Sequence, residues 1–543
     1  MVMRKSNNKS SHSPPPDQRQ LDILLSYYQS SMLTEAEHLA TSLTREFPQH
    51  PFAWKVLGAV FSRSGRLNES LIPKKKCVEL CPLDAEAHNN LGNTLHELGR
   101  LGDAEASLRK AIELNPNYPE AYSNLGNTLL VLGRLEESEA CNRKAIGLRP
   151  DLFKAHYNLG NTLQKLGKLH LAEESYLETI ALKQGFGAAH NNLGNIYKEL
   201  GRLDAAEASY RQAVFLQPDD AEAQNNLGVT LHALGRLDEA RASYIQATSL
   251  EPDFIEAHHN LSITLHELGR FDEAELSCRR VIALDSTFPD AHNRLLKTLY
   301  LAEKNSLFFD ELDNLTSRGE ISSIIGSLTC RAALKFGVEK PNPFCSKPLD
   351  HVLHVDLKNR QDFSKTFVET AISIFDKKEI GSRHQPLLQN GQQTSGNLFD
   401  IEESLTRKLR KAIRSEVERY RDHFKHSKEG FIKNWPTEYS LFGWLIRMDS
   451  GGSLKPHIHE AGWISGSIYI NVPERSRLGE GSLALSPGEQ KDVGSEGELV
   501  LEIIDVATGS LVLFPASMTH FTLPFESIHQ RVVLAFDVVP DFG

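Results

Sequence analysis

The feature that most constrains this chain is a 34-residue repeat in its first half. Small residues mark the same place in each repeat, at Gly58, Gly92, Gly126, Gly160, Gly194, Gly228 and Ser262. A unit of this length buries its apolar face only by stacking against its neighbours. We therefore predict one continuous stack of such units over residues 18–303.

Each repeat has the pattern of two helices. In residues 86–119, leucines recur at i, i+4 and i+7 (Leu91, Leu95, Leu98), and a second apolar stripe follows the turn at Gly99. This spacing places the apolar residues on one face of each helix. The glycine that recurs at the same position of each repeat predicts a close approach of the two helices. Counting gives eight units, preceded by a divergent one near residues 18–50.

The period, the helix pairs and the opening Trp54-Lys-Val-Leu-Gly58 resemble the tetratricopeptide repeat. The resemblance implies an all-α superhelix that binds other proteins. Asparagine recurs two residues before the small residue, outside the leucine stripe, at Asn90, Asn124, Asn158, Asn192, Asn226 and Asn260.

A row of primary amides can pair with the backbone of an extended peptide, because each amide both donates and accepts hydrogen bonds. The row resembles the repeats of O-GlcNAc transferase, which implies that a protein or peptide lies along the concave face. The alternative is that the amides solvate a helix face or make contacts between repeats.

Three histidines lie among short β-type runs near the C-terminus. His457 and His459 are two residues apart, so both imidazoles point to one face of an extended strand. His520 ends another run and can supply a third ligand. Three imidazoles suit a metal such as iron. Glu460 falls on the opposite face and is a reserve ligand.

Arg531 follows His520 by eleven residues and opens a mostly apolar run. A guanidinium in an apolar strand needs an anionic partner. The carboxylate of a small diacid fits this requirement.

These residues, with Ser465-Gly-Ser-Ile-Tyr469, resemble the Fe(II)- and 2-oxoglutarate-dependent oxygenases of the prolyl-hydroxylase-related type. The resemblance implies a double-stranded β-helix that binds Fe(II) and the co-substrate 2-oxoglutarate, with Arg531 and Tyr469 on its distal carboxylate. The family usually has Asp or Glu two residues after the first histidine, where this chain has His459. We predict a three-histidine centre and no catalytic side chain beyond it.

A chain of 543 residues is too long for one core. The fold class predicted is multidomain α + β: an all-α tetratricopeptide superhelix and a C-terminal double-stranded β-helix, or jelly roll, with supporting helices. The boundaries predicted are a disordered tail (1–17), the superhelix (18–303), a helical and loop connector (304–396) and the oxygenase domain with its N-terminal helix (397–543).

The net charge of -11 argues against general nucleic-acid binding. The sequence has no apolar stretch of about 18 residues, so we predict no membrane span. The cysteines are scattered along the chain, which fits a reducing compartment. We expect a cytoplasmic dioxygenase that hydroxylates a protein or peptide captured by the repeats, without nucleic-acid or membrane partners. Two alternatives remain: a non-catalytic scaffold with a degenerate β-domain, and an oxygenase that acts on a small molecule or sugar.

Overall fold

The computed structural model describes residues 16–288, 290–359, 362–375, 382–383, 387–400, 403–474, 477, 479–489, 492 and 498–541. The chain divides into two compact units, Met1–Asn260 and Leu261–Gly543. The disordered tail predicted for residues 1–17 lies, except for its last two residues, outside the described part.

Helices follow one another in pairs through the first unit, each full repeat having a first helix of 13 residues and a second of 14. The helices are α1 (Gln18–Gln29), α2 (Leu33–Glu46), α3 (Pro51–Arg63), α4 (Leu67–Leu80), α5 (Ala85–Glu97), α6 (Leu101–Leu114), α7 (Pro119–Val131), α8 (Leu135–Leu148), α9 (Phe153–Lys165), α10 (Leu169–Leu182), α11 (Gly187–Glu199), α12 (Leu203–Leu216), α13 (Ala221–Ala233), α14 (Leu237–Leu250) and α15 (Ile255–Glu267), whose last residues belong to the second unit. The predicted tetratricopeptide architecture is confirmed.

The repeated glycine is explained by the contact between the two helices of a repeat. A Cβ atom on Gly92 of α5 would lie 2.6 Å from Cγ of Leu108 in α6 and 3.3 Å from the carbonyl oxygen of Ala104. The turn between these helices contains Gly99 at φ +72°, a conformation that favours glycine.

We expect Gly92→Ala to lower the free energy of unfolding by about 1–3 kcal/mol, because overpacking outweighs the gain in helix propensity. Gly102→Ala is the matched control. It lies in the partner helix α6 with no atom within 4 Å of its added Cβ, so it should stabilise by about 0.5–1 kcal/mol. Urea unfolding of both variants checks this, and a stabilised Gly92→Ala protein would contradict the close-contact explanation.

The second unit continues with helices and then turns to β-structure. Its helices are α16 (Phe271–Leu284), α17 (Ala291–Leu301), α18 (Asn305–Ser317), α19 (Ser323–Phe336), α20 (Glu369–Phe375), α21 (Glu403–His423) and α22 (Gly430–Lys433). The strands are β1 (Leu353–Asp356), β2 (Ser382–Arg383), β3 (Leu388–Thr394), β4 (Tyr439–His457), β5 (Ile464–Asn471), β6 (Leu483–Ser486), β7 (Glu502–Ile504), β8 (Ser510–Pro515), β9 (Thr519–Thr522) and β10 (Arg531–Pro540). None of the described helices is long and apolar enough to cross a bilayer.

The strands pair antiparallel in the order β1-β8-β5-β10-β4-β9-β6-β7, and β3 joins β2 to β4. Strand β4 is 19 residues long. Its first part, Tyr439–Met448, pairs with β10, and its later part pairs with β9. Strand β3 pairs with residues of both parts, Ile446 to Met448 and Ser453 to Leu454. This antiparallel β-structure is consistent with the jelly-roll-like C-terminal domain that the sequence predicted.

Alternation along β10 separates two environments. Val532, Leu534, Phe536 and Val538 pack in a core that includes the buried face of α21 (Leu409, Ile413, Val417 and Tyr420). The intervening residues of a strand point to the opposite face. That face carries Arg531, Val533, Ala535 and Asp537, and it lines the interior of the domain.

Two parts of the predicted second half differ from the structure. The segment 381–396, at the end of the predicted helical and loop connector (304–396), contains the strand β3, which is polar because it lies beside β4 with much of its length exposed. Residues 381 and 384–386 lie outside the described part. The N-terminal helix predicted for the oxygenase domain (397–543) is α21, which begins at Glu403.

Candidate metal centre

Two of the three histidines are brought together by strand pairing. His457 is the last residue of β4 and lies directly opposite His520 of β9. Directly opposed residues of antiparallel strands have neighbouring side chains on one face. The two ring centroids are 4.2 Å apart.

His459 reaches the same place by another route. Strand β4 ends at His457, so His459 lies beyond it and not on the extended strand that the sequence predicted. Its Nε2 atom is nevertheless 3.1 Å from Nε2 of His457, and its ring centroid is 4.7 Å from that of His520. Ligand nitrogens of all three rings lie within 4.8 Å of one another.

The Nδ1 atoms of the three rings all face oxygen atoms. That of His457 is 2.8 Å from the carbonyl oxygen of Lys455, and that of His520 is 3.3 Å from the carbonyl oxygen of Met518. Nδ1 of His459 is 2.6 Å from Oδ1 of Asp537. These oxygens accept, so each Nδ1 carries the proton and each Nε2 keeps its lone pair. Such hydrogen bonds orient metal-binding imidazoles.

The pKa values of the rings follow their surroundings. Burial, together with the neighbouring His459, lowers the pKa of His457 to about 4. Burial, together with the neighbouring His457 and His459, holds the pKa of His520 well below its ordinary value. Burial also acts to lower the pKa of His459, but the charge and hydrogen bond of Asp537 raise it overall. His457 and His520 are therefore neutral near pH 7, the form in which imidazole binds metals.

Asp537 is the site residue that the sequence interpretation missed. It is 5% exposed and accepts a second hydrogen bond from Ser465 Oγ at 2.8 Å. The signal was present, since Asp537 is the single carboxylate in the apolar β10 and has the same side-chain direction as Arg531. Its partner, however, is 78 residues away in sequence.

We expect Asp537→Asn to weaken Fe(II) binding about 10- to 100-fold, the usual effect of removing a hydrogen-bond partner of a ligating histidine. Anaerobic titration with Fe(II), or with Co(II) as a spectroscopic substitute, measures the affinity. The control is Asp449→Asn, at an exposed position of β4. Equal metal affinities of the Asp537→Asn and wild-type proteins would show that this carboxylate does not support the centre.

Glu460, the reserve ligand, is not brought to the histidines. Its carboxylate pairs with the ammonium of Lys297 in α17, and its carbonyl oxygen accepts from Ser323 Oγ of α19 at 2.8 Å. The neighbouring Ile458 packs against the apolar cluster formed by α17, α18 and α19. Both residues that flank His459 are thus held by helices of the second unit.

A cavity of about 280 Å³ adjoins the three histidines. Its walls include Trp444, Tyr469, Phe514, Val533 and Ala535. Apolar walls around a polar cluster are typical of a site for a small ligand.

Arg531 lies next to Tyr469, which lines this cavity. The Arg531 side chain is 1% exposed, its Cζ is 5.0 Å from the centre of the Tyr469 ring, and its Nη1 donates to the carbonyl oxygen of Gly481. A Cβ atom on Gly481 would collide with that nitrogen. Burial raises the pKa of Tyr469 despite the opposing charge of Arg531, so the phenol stays protonated and can donate a hydrogen bond.

The predicted asparagine row lies in the first unit, and its amide groups link successive repeats. Each of five Nδ2 atoms donates to a side chain of the preceding repeat: Asn124 to Asn89 (2.9 Å), Asn158 to Ser123 (3.1 Å), Asn192 to Asn161 (2.9 Å), Asn226 to Asn191 (3.2 Å) and Asn260 to Asn225 (3.1 Å). All six asparagines are half-buried. The side-chain N–H groups of these five asparagines therefore make contacts between repeats, as the alternative interpretation proposed. Within the described residues, the side-chain oxygens of Asn124, Asn158 and Asn226 accept no hydrogen bond, so they remain available.

Residues 443–537 match the model of a family described as "Putative 2OG-Fe(II) oxygenase". Models of the tetratricopeptide repeat match residues 75–106, 92–133, 126–167, 157–214, 194–235, 230–269 and 255–288. The chain therefore joins tetratricopeptide repeats to a C-terminal domain that matches the family described as "Putative 2OG-Fe(II) oxygenase".

Solved structures are similar to parts of this chain. A chain of the APC/C hetero-tetramer Cut9–Hcn1 is 18% identical with a TM-score of 0.41, and the match covers 52% of this chain and 55% of that one. YrrB, a tetratricopeptide protein with an unusual peptide-binding site, is 27% identical with a TM-score of 0.29, over 34% of this chain and 96% of its own. MamA is 27% identical with a TM-score of 0.27, over 31% and 97%. No curated protein matches the chain.

Proposed function

We propose that the C-terminal domain is an Fe(II)- and 2-oxoglutarate-dependent dioxygenase whose metal is held by His457, His459 and His520. The observation that carries the proposal is the common orientation of the three rings, with every Nδ1 directed to an oxygen and every Nε2 left as a ligand. Imidazole nitrogens that each lie about 2.0–2.1 Å from a shared ion would be about 3–3.5 Å apart. The Nε2 atoms of His457 and His459, at 3.1 Å, fit this spacing.

The absence of a carboxylate ligand leaves the centre with one negative charge fewer than the usual set. Asp537 supplies a negative charge immediately behind His459, where it makes the imidazole a stronger donor. Fe(II) held by His457, His459 and His520 alone would have room for a co-substrate and for dioxygen.

Arg531 and Tyr469 are proposed to bind the distal carboxylate of 2-oxoglutarate. A guanidinium matches a carboxylate with two parallel hydrogen bonds, and the Tyr469 hydroxyl can add a third. The cavity of about 280 Å³ is large enough for this small diacid. When bound, Fe(II), 2-oxoglutarate and dioxygen supply the oxidant for an unactivated C–H bond, with release of succinate and carbon dioxide. Trp444 and Phe514 keep the walls of the cavity apolar and exclude water.

The substrate is proposed to be a protein or peptide held by the repeats. The available amide oxygens of the asparagine row can accept hydrogen bonds from the N–H groups of an extended backbone. This mode of binding depends little on the side chains of the peptide.

Anaerobic addition of Fe(II) and 2-oxoglutarate to the purified protein tests the centre. We expect a visible metal-to-ligand charge-transfer band in the wild type and its loss in His459→Ala. Retention of the band in His459→Ala would remove this residue from the ligand set. A wild-type protein that binds no iron would instead favour a repeat scaffold with a non-catalytic β-domain.

A further inference from the structure

One position on the second helix of each repeat faces the glycine of the first helix. It lies 16 residues after that glycine and is occupied by Lys74, Leu108, Asn142, Tyr176, Tyr210 and Tyr244. Lys74 is the charged member of this series, at a place where the other repeats have apolar, aromatic or amide side chains. Its aliphatic part packs on Gly58, whose added Cβ would lie 2.9 Å from Lys74 Cγ.

The ammonium of Lys74 has neutral partners. Its Nζ donates to Ser62 Oγ at 2.6 Å and to Thr94 Oγ1. No carboxylate of the described residues lies within ion-pair distance of it. Burial lowers its pKa, and the more distant charge of Glu97 opposes this only in part. An ammonium has three donors, so one N–H remains for a ligand, and a half-buried cation without a counter-ion favours an anion.

Two cavities meet at this side chain, and both are lined by Lys74 and Asn90. One, of about 580 Å³, has an apolar and aromatic wall formed by Leu25, Tyr28 and Phe52. The other, of about 220 Å³, contains the amides of Asn89, Asn93 and Asn124. The lysine thus lies between a surface for apolar side chains and the start of the asparagine row.

The charges around these cavities favour an acidic ligand. Their basic lining residues are Lys55, Arg63, Lys74 and Lys154, and their acidic ones are Glu86 and Glu120. Both acids are already paired, Glu86 with Lys55 and Glu120 with Arg149. A local excess of positive charge contrasts with the net charge of -11 of the whole chain.

We propose that Lys74 anchors a carboxylate of an extended peptide whose backbone continues along Asn90 and Asn124. The partner is therefore an acidic peptide segment, and the carboxylate is either an Asp or Glu side chain or a C-terminus. The inference rests on the peptide-binding part of the proposed function and is independent of the metal centre.

Three pools of fluorescein-labelled decapeptides, randomised except at one central position, distinguish the possibilities. The first has Asp there and an amidated C-terminus, the second has Asn and an amidated C-terminus, and the third has Asn and a free C-terminal carboxylate. Fluorescence anisotropy on the full chain is expected to show at least about tenfold tighter binding of a pool with a carboxylate than of the Asn amide pool. A preference for the first pool assigns a side chain, and a preference for the third assigns a C-terminus.

Lys74→Leu introduces the residue that the next repeat has at Leu108, and it should abolish this preference while circular dichroism and the melting temperature stay near wild type. Lys74→Arg, which keeps the charge, should retain the preference even if the leucine variant folds poorly. The matched control is Lys75→Leu, an exposed neighbour on α4.

Equal binding of all three pools by the wild type would overturn the role of Lys74 but leave peptide capture intact. If the Lys74→Leu variant still prefers a pool with a carboxylate, the role of Lys74 is also overturned and peptide capture stays intact. Binding of none of the pools would contradict peptide capture itself. Tighter binding of a single-stranded oligonucleotide than of any pool would assign the basic surface to another class of partner and also overturn the proposal.

Discussion

Replacing His520 by alanine is expected to lower the affinity for Fe(II) by more than about 100-fold and to abolish turnover of 2-oxoglutarate. Loss of a hydrogen-bond partner of a ligand already costs about 10- to 100-fold, and loss of the ligand itself should cost more. His520 is also the residue that the pairing of β9 with β4 places against His457. Two imidazoles without the third cannot hold the ion on one face.

Anaerobic metal titration and the charge-transfer band measure this effect, with His529→Ala as the control because His529 is exposed and outside the cluster. Because His520 is 5% exposed, thermal unfolding of the metal-free proteins should be compared. A metal-free variant as stable as the wild type isolates the effect on iron. Undiminished iron affinity would remove His520 from the centre.

The second large effect is expected for Arg531→Met, which should keep Fe(II) and lose 2-oxoglutarate. Hydrogen bonds to charged groups contribute about 1.5–3 kcal/mol each. Loss of two such bonds predicts at least a 100-fold lower affinity for the co-substrate, at about 1.4 kcal/mol for each tenfold. Calorimetric titration of the Fe(II)-loaded protein with 2-oxoglutarate measures this change.

Arg531→Lys should give an intermediate affinity, because it keeps the charge but not the paired geometry of the guanidinium. Arg447→Met, on the neighbouring β4, serves as the control, since this arginine bonds to Gln392 on the exposed side of the sheet. If Arg531→Met lowers only the stability of the protein and leaves co-substrate affinity unchanged, Arg531 is structural.

The sequence predicted the parts of this molecule that depend on local pattern. The 34-residue period and the leucine spacing were sufficient for the helix pairs, and the β-type runs were sufficient for a β-rich C-terminal domain. The strand β3, which lies between β2 and β4, was missed because its side chains are polar and partly exposed, so it lacks the apolar alternation by which strands are recognised.

The candidate centre could be predicted because its histidines and Arg531 follow one another along the chain in an order that resembles that of the oxygenases. The part that was missed depends on long-range contacts. Asp537 is recognised only when β10 lies beside the segment after β4. Likewise, the sequence predicted Glu460 only as a reserve ligand, because its actual partner, Lys297, lies 163 positions away in the chain.

The attachment of the His459 segment to α17 and α19 has a consequence for modularity. Ile458 packs on the apolar cluster of these helices, while Lys297 and Ser323 bind Glu460. A gene fragment that begins at residue 397 would therefore lack β1, β2 and β3 of the sheet, and it would also lack the helices that hold the segment around His459. The helical hairpin at 291–317 and the helix after it must be inherited with the β-domain, so repeats can be added, lost or exchanged only upstream of them.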